Sequence, residues 1–203
     1  KFHPVQDRDM SLRNKLGISQ DAVVIAYVGD LVPHKRVDIL LNSLKSAASK
    51  ATHPLHVIII GVGSELEKLK ELTTTLALEN SVTFLGKVPE IYPYLQHVAD
   101  LHFSASSEEG FGLSVVEAAA CGLPNIVSAS GALTEVVTDK IDGIHVQGAN
   151  VEFFAEAILR LAEDKNLREK MGKAGREKAV NNYSLSVYKN KLAEQIEHMA
   201  SQK

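Results

Sequence analysis

The strongest constraint on this chain is a rhythm. Six short apolar runs, "VVIAYV" (23–28), "LHVIII" (55–60), "VTFLG" (82–86), "LHFSA" (101–105), "NIVSA" (125–129) and "GIHV" (143–146), alternate with segments of helical spacing. Those segments cover 35–49, 64–78, about 90–98, 114–121 and about 131–137. The runs are rich in Val and Ile and show little polar alternation, as strands do when both faces are covered. Strand–helix alternation of this kind predicts an α/β fold, a doubly wound parallel sheet of six strands with helices on both sides. After Gln147 the strands stop, and 151–163, about 165–180 and 185–200 read as three helices, the last amphipathic. The chain thus divides into a connector with a short helix (1–20), an α/β core (21–150) and C-terminal helices packing on the same domain (151–203). Ser64 and Glu67 read as a capping box that opens the helix after the second run.

Composition excludes several function classes. With 203 residues the chain can bury a substantial core, and 45% hydrophobic and 23% charged content is ordinary for a globular protein. A net charge of −3 gives no basic field of the kind nucleic-acid binding relies on. No apolar stretch reaches the ~18 residues of a membrane span, and no signal-peptide pattern opens the chain. Cys121 is the single cysteine, which rules out an internal disulfide and predicts a cytoplasmic setting. Between three alanines and Gly122, it reads as a small apolar packing residue. Eight histidines are scattered without metal-ligand spacing, so no metal site is expected. In "DKNLREKMGKAGREK" (164–178) bases alternate with acids, the mark of a solvated helix face. The chain opens on Lys1 rather than methionine, which reads as part of something longer.

An open parallel sheet takes its ligands outside the carboxyl ends of its strands. The loops there are "GDLVPHK" (29–35), "GVGS" (61–64), "GKVPE" (86–90), "SSEEGFGLS" (106–114) and "SGALTE" (130–135). Glycines close tight turns in any such fold, but five such loops on one edge favour a nucleotide-sized ligand. In the fourth loop, Gly110 and Gly112 flank Phe111 just before a helix expected to start near Ser114. Free N–H groups and the helix dipole at that point suit a phosphate or diphosphate. Glu109, just before the turn, reads either as an acceptor for sugar hydroxyls or as a solvated loop carboxylate beside Glu108. Glu117, one turn into the helix, reads either as an acceptor for two ribose hydroxyls or as half of a Ser114-x-x-Glu117 capping box.

The segment "ASSEEGFGLSVVEAAACGLPNIVSASGALTEVV" resembles the Glu-(any seven)-Glu motif of the family 4 retaining glycosyltransferases. "YVGDLVPHKRVDILL", "HVIIIGVGSELEKLKEL", "VTFLGKV" and "DKIDGIHV" fit the same family in order, so the resemblance spans nearly the whole chain. It implies one half of a GT-B fold: the Rossmann-like, donor-binding C-terminal domain of a hexosyltransferase in glycan, lipid-carrier or polysaccharide biosynthesis. The N-terminal acceptor-binding domain would be the missing partner, and this chain alone is expected not to transfer sugar. The implied donor is a UDP-, GDP- or ADP-sugar, with no cofactor, and the acceptor is a glycan, a lipid-linked sugar or a small molecule. The setting is cytoplasmic, peripheral at the inner membrane face in the full enzyme. Residue by residue, the resemblance gives Glu109 the donor-sugar hydroxyls and Glu117 the ribose. Backbone N–H groups around Phe111, Gly112, Leu113 and Ser114 would hold sugar or phosphate oxygens, and Lys35 would neutralise the leaving diphosphate. Val88 falls at the nucleobase, and Gly29, Gly61 and Gly63 lie beside the nucleotide.

One position departs from that pattern. The family usually has an arginine after the glycine of the first loop, sharing the diphosphate charge with the lysine; here it is Asp30. Arg36 stands next to Lys35, but adjacent residues point differently. Ala105 and Ala132, where proline and glycine are common, look tolerable. His34 beside Lys35 reads as an exposed loop histidine. Asp30 keeps open a second reading, a non-catalytic nucleotide-sugar binding module. The paired glutamates argue against a third, a sugar-nucleotide epimerase of the same fold.

Overall fold

All six expected strands form and pair into one sheet. The computed structural model describes residues 1–201. Its strands are β1 (Val23–Val28), β2 (Leu55–Ile60), β3 (Val82–Gly86), β4 (Leu101–Ser104), β5 (Asn125–Ser128) and β6 (Gly143–Val146). They lie in the order β3-β2-β1-β4-β5-β6, and every neighbouring pair is parallel. The chain runs outward from β1 to β3, crosses back, and runs outward again from β4 to β6. The crevice between β1 and β4 is therefore the topological switch point of a Rossmann-like sheet.

The helices are α1 (Ser11–Lys15), α2 (Val37–Ala48), α3 (Leu66–Thr75), α4 (Tyr92–His97), α5 (Leu113–Ala120), α6 (Leu133–Val136), α7 (Val151–Glu163), α8 (Lys165–Tyr183) and α9 (Leu185–Ser201). Successive side chains of β1 take opposite faces, as the two-residue strand period requires. Val23, Ile25 and Tyr27 join a core with Leu40, Leu41 and Leu44 of α2 and Phe154, Ile158 and Leu161 of α7. Val24, Ala26 and Val28 join a second core with Leu95 of α4, Ala118 of α5 and Leu12 of α1. Every residue of β1 and β2 is buried, which is why the sequence there reads as apolar runs interrupted only by His56. Cys121, 6% exposed, packs in the second core as expected.

The C-terminal helices are capped by side chains. Asn150 Oδ1 accepts from the backbone N–H groups of Glu152 and Phe153 at the start of α7, and Asp164 Oδ1 from that of Leu167 in α8. Helix α7 packs on α2, α8 on α5, and α9 on α8. On α9, Leu185, Tyr188, Ile196 and Met199 are exposed.

The Ser64–Glu67 capping box does not form. Helix α3 starts at Leu66, with Glu65 in the cap position and no side-chain cap. The backbone N–H of Glu65 donates to the Leu31 carbonyl at 2.9 Å, so a contact with the loop after β1 sets where the helix begins. Ser64 is left exposed before it, and Glu67 pairs instead with Lys70 at 2.9 Å.

Candidate functional site

The parallel sheet brings the five expected loops to one edge; backbone hydrogen bonds knit the first four together, and the Ser130 hydroxyl ties the fifth to the Ser106 carbonyl at 2.9 Å. Gly29 N–H donates to Ile60 O (3.0 Å), Leu31 to Val62 (2.9 Å), Gly61 to Gly86 (2.9 Å) and Ser107 to His34 (2.9 Å). A Cβ on Gly61 would stand 1.8 Å from the Gly29 carbonyl oxygen, and one on Gly63 would stand 2.3 Å from that of Leu31. These two glycines let the β2 loop lie directly on the β1 loop.

At the switch point is a cleft of about 270 Å³, lined by Tyr27, Val28, Gly29, Asp30, Lys35, Ile91, Ser104, Glu109, Leu113, Ser114 and Glu117. Six of the expected site residues meet here. Gly61, Gly63, Phe111, Gly112 and Val88 lie outside its lining. Val88 is half-buried and packs on the second core.

Lys35 ends a single 3₁₀ turn, Pro33–Lys35. Its Nζ lies 2.7 Å from Glu109 Oε2, with each side chain about a fifth exposed (19% and 17%). Ser106 Oγ donates to the same carboxylate oxygen at 3.2 Å. The Ser106 carbonyl in turn accepts from the hydroxyls of Ser128 and Ser130 at the end of β5. Glu109 is thus a fixed group backed by a chain of hydroxyls, not a solvated loop carboxylate.

Helix α5 starts one residue earlier than expected, and the Ser114–Glu117 capping box is absent. The cap position belongs to Gly112 at φ 82°, ψ 45°, a left-handed conformation that suits glycine, and no side chain caps the helix. Ser114 is therefore inside the helix. Its N–H and that of Leu113 belong to the first turn, which has no intrahelical acceptors, and both residues line the cleft. Glu117 is half-buried on the same wall, and burial pushes its carboxyl pKa above the ordinary range.

Two features escaped the sequence, and a third follows the expectation that Arg36 and Lys35 point differently. Tyr27 is the only side chain with a polar atom in its strand; it is buried and its hydroxyl donates to the Asp30 carbonyl at 2.9 Å. Burial, with Glu109 and Asp30 nearby, pushes the Tyr27 hydroxyl pKa well up. Phe111 stands edge-on to Tyr183 with ring centroids 5.7 Å apart, so the end of α8 braces the turn before α5. Arg36 leaves the Lys35 cleft altogether: it lines a separate cavity and lies 3.5 Å from Asp38, so it does not offset Asp30. His34 is exposed, as expected. Among the described residues, no three His, Cys, Asp or Glu side chains gather as a metal-ligand set, and no helix is long and apolar enough to cross a membrane.

Chemically, the cleft offers one cation, a helix start with free N–H groups, and three carboxylates, Asp30, Glu109 and Glu117, able to accept from hydroxyls. Residues 9–178 match the family described as Glycosyl transferases group 1. The chain is 32% identical over 181 residues to a D-inositol 3-phosphate glycosyltransferase of Kribbella flavida, across 82% of this chain and 42% of that protein. Anabaena HepE, solved in complex with UDP and glucose, matches with a TM-score of 0.86 at 25% identity, over 97% of this chain and 53% of that one. The C-terminal domain of the group 1 glycosyl transferase LpcC of Francisella tularensis matches with a TM-score of 0.79 at 23% identity, over 91% of this chain and 96% of that one. The chain thus spans about half the length of the two longer relatives.

Proposed function

The chain belongs to the group 1 glycosyl transferases, and from that premise we propose that it is the donor-binding half of a retaining GT-B hexosyltransferase. The observation that carries this reading is the convergence of Lys35, Glu109 and Glu117 on one cleft beside the start of α5. In the proposed reaction the bond between the anomeric carbon and the diphosphate oxygen breaks, the sugar bonds to the acceptor oxygen with its configuration kept, and the acceptor's hydroxyl proton leaves with the diphosphate. The departing nucleoside diphosphate gains negative charge, which Lys35 and the first N–H groups of α5 stabilise. Glu117 accepts from the ribose hydroxyls and Glu109 from those of the donor sugar. None of these roles requires a metal.

The acceptor, a glycan, lipid-linked sugar or small molecule, would be held by a second domain across the cleft. The reading places the enzyme in the cytoplasm, at the inner membrane face where the acceptor is lipid-linked. HepE binds UDP and glucose, so UDP-glucose is the first donor to try. The test is a thermal-shift series with UDP-, GDP- and ADP-sugars. One nucleotide class is expected to raise the melting temperature, and no shift with any would overturn the reading.

A second reading, a non-catalytic nucleotide-sugar binding module, is favoured by one observation: Asp30 lines the same cleft as Lys35. Both readings predict donor binding. Turnover by a protein carrying both halves separates them.

A further inference from the structure

Arg36 has an unusual backbone. It lies at φ 52°, ψ 43°, in the left-handed region that favours glycine. The other non-glycine residues there, Ala77 and Lys140, are exposed; Ala77 follows the end of α3 and Lys140 sits in a turn. Arg36 is instead partly buried and joins the Lys35 turn to α2. Strain kept beside a functional lysine, where glycine would relieve it, points to a task for the side chain.

That side chain lines a second cavity of about 240 Å³, whose walls include Ser106, Ser107, Ser128, Ser130 and Gly148. Arg36 is the one charged residue in its lining, and no carboxylate is present there. The nearest opposite charge, Asp38 at 3.5 Å, has a side chain that is 51% exposed. The hydroxyls of Ser128 and Ser130 donate to the Ser106 carbonyl, and that of Ser107 to the His34 carbonyl. The Ser128 and Ser130 hydroxyls also lie 3.1 Å apart, so these protons are spent within the wall; the hydroxyl oxygens face a ligand as acceptors, while Arg36 offers a fork of donors suited to an oxyanion. Ser106 belongs to this cavity and bonds to Glu109 in the first, so the two cavities share a wall.

We propose that this second cavity binds the anionic group, phosphate or carboxylate, of a sugar-sized reactant, with Arg36 as its charge partner. The proposal rests on the reading of the Lys35 cleft as the donor site. Two sources share the chemistry: an acceptor bearing a phosphate or carboxylate, and a donor sugar bearing a carboxylate.

The test uses the chain itself, isotopically labelled, saturated with whichever of UDP, GDP or ADP stabilises it most. Glucose 6-phosphate and glucose are titrated in turn while the amide signals of Ser106, Ser128 and Ser130 are followed. Glucose 6-phosphate is expected to move these signals saturably, and glucose not. Arg36→Gly is expected to weaken the effect about tenfold or more, as for loss of a charged hydrogen bond. Its melting temperature should equal or exceed that of the parent, because the strain is gone; Arg36→Gln supplies the same comparison without a glycine. Equal binding by the parent and both variants, or no saturable shift in the parent at millimolar ligand, overturns the proposal.

A second arm separates the sources by comparing the glucuronate and glucose donors of the same nucleotide. Preference for glucuronate that disappears in Arg36→Gly assigns the anion to the donor sugar. Glucose 6-phosphate binding on top of the glucose donor assigns it to the acceptor. If no nucleotide stabilises the chain, the donor reading fails by itself, and the phosphate titration is run without nucleotide and judged by the same criteria.

Discussion

Lys35 and Glu109 are already partners at 2.7 Å, and this shapes what each carboxylate does to ligand affinity. Under the proposed donor reading, a diphosphate must take or share a cation that Glu109 holds, so Glu109 would compete with the leaving group for Lys35. Glu117 has no such partner among the described residues. Glu117→Ala is expected to weaken binding of the free nucleoside diphosphate by about 1–3 kcal/mol, the range for a charged hydrogen bond. Glu109→Ala should leave that binding unchanged or tighten it, while abolishing any preference for the donor over the bare diphosphate. With no capping box at Ser114, Glu117→Ala should also leave the melting temperature without ligand nearly unchanged. Asp30→Arg should tighten diphosphate binding, more at low salt than at high, because the added charge is exposed. Calorimetric titration of the three variants with the diphosphate, and of Glu109→Ala with the sugar donor as well, decides it. Equal losses at Glu109 and Glu117 would show that the two roles are misassigned.

At the scale of elements, α1 illustrates what holds the connector to the sheet. Arg13 is 4% exposed; its guanidinium donates twice to the Val98 carbonyl (3.0 and 2.6 Å) and lies 2.7 Å from Asp100 Oδ2. Asp100 also accepts from Arg8 at 2.6 Å and from the Val24 N–H at 2.8 Å, which ties the connector to the starts of β1 and β4. Arg13→Ala should therefore cost about 3–5 kcal/mol, the range for breaking a buried pair, read by urea denaturation. A loss under 1 kcal/mol would mean that Arg8 alone neutralises Asp100. Nothing local in "SLRNKLG" singles out Arg13, since apart from the Ala22 carbonyl at 3.3 Å its partners, Val98 and Asp100, lie 85 and 87 residues away. The strands were legible for the opposite reason: burial on both faces writes itself into consecutive residues such as "LHVIII". Helix starts were legible only where a local side chain makes them, as Asn150 and Asp164 do. At Glu65 and Gly112 a distant carbonyl and a left-handed glycine decided instead. The site was readable where one loop carries it, from Glu109 to Glu117. It was opaque at Tyr27 and Tyr183, whose roles depend on where other elements arrive.

For the whole molecule, the consequence of covering both sheet faces is sensitivity to acid. His102, on β4, is fully buried, with Nδ1 2.8 Å from Asn125 Oδ1; its Nε2 has no partner among the described residues. Burial drives its pKa from 6.5 down to about 4, against the opposing pull of Asn125 and Glu109. His56, 8% exposed on β2 and 2.9 Å from Thr83 Oγ1, is likewise held near 4, chiefly by burial and secondarily by Arg13. For a base whose folded pKa is depressed, the unfolded chain takes the proton first. Stability is therefore complete above about pH 6.5 and falls as pH drops toward 4, by roughly 1.4 kcal/mol per pH unit for each histidine. Across the whole window His102 alone accounts for roughly 3 kcal/mol, a large share of the ~5–15 kcal/mol typical of a domain. The double variant His102→Phe with Asn125→Val removes the titrating ring and the amide that answers it. Its unfolding free energy should fall by about 2 kcal/mol less than the parent's between pH 7 and 5, read from denaturant curves at both values. Parallel losses in parent and variant would mean that His102 carries its proton inside the fold, and the acid sensitivity would then belong to His56 and the carboxylates.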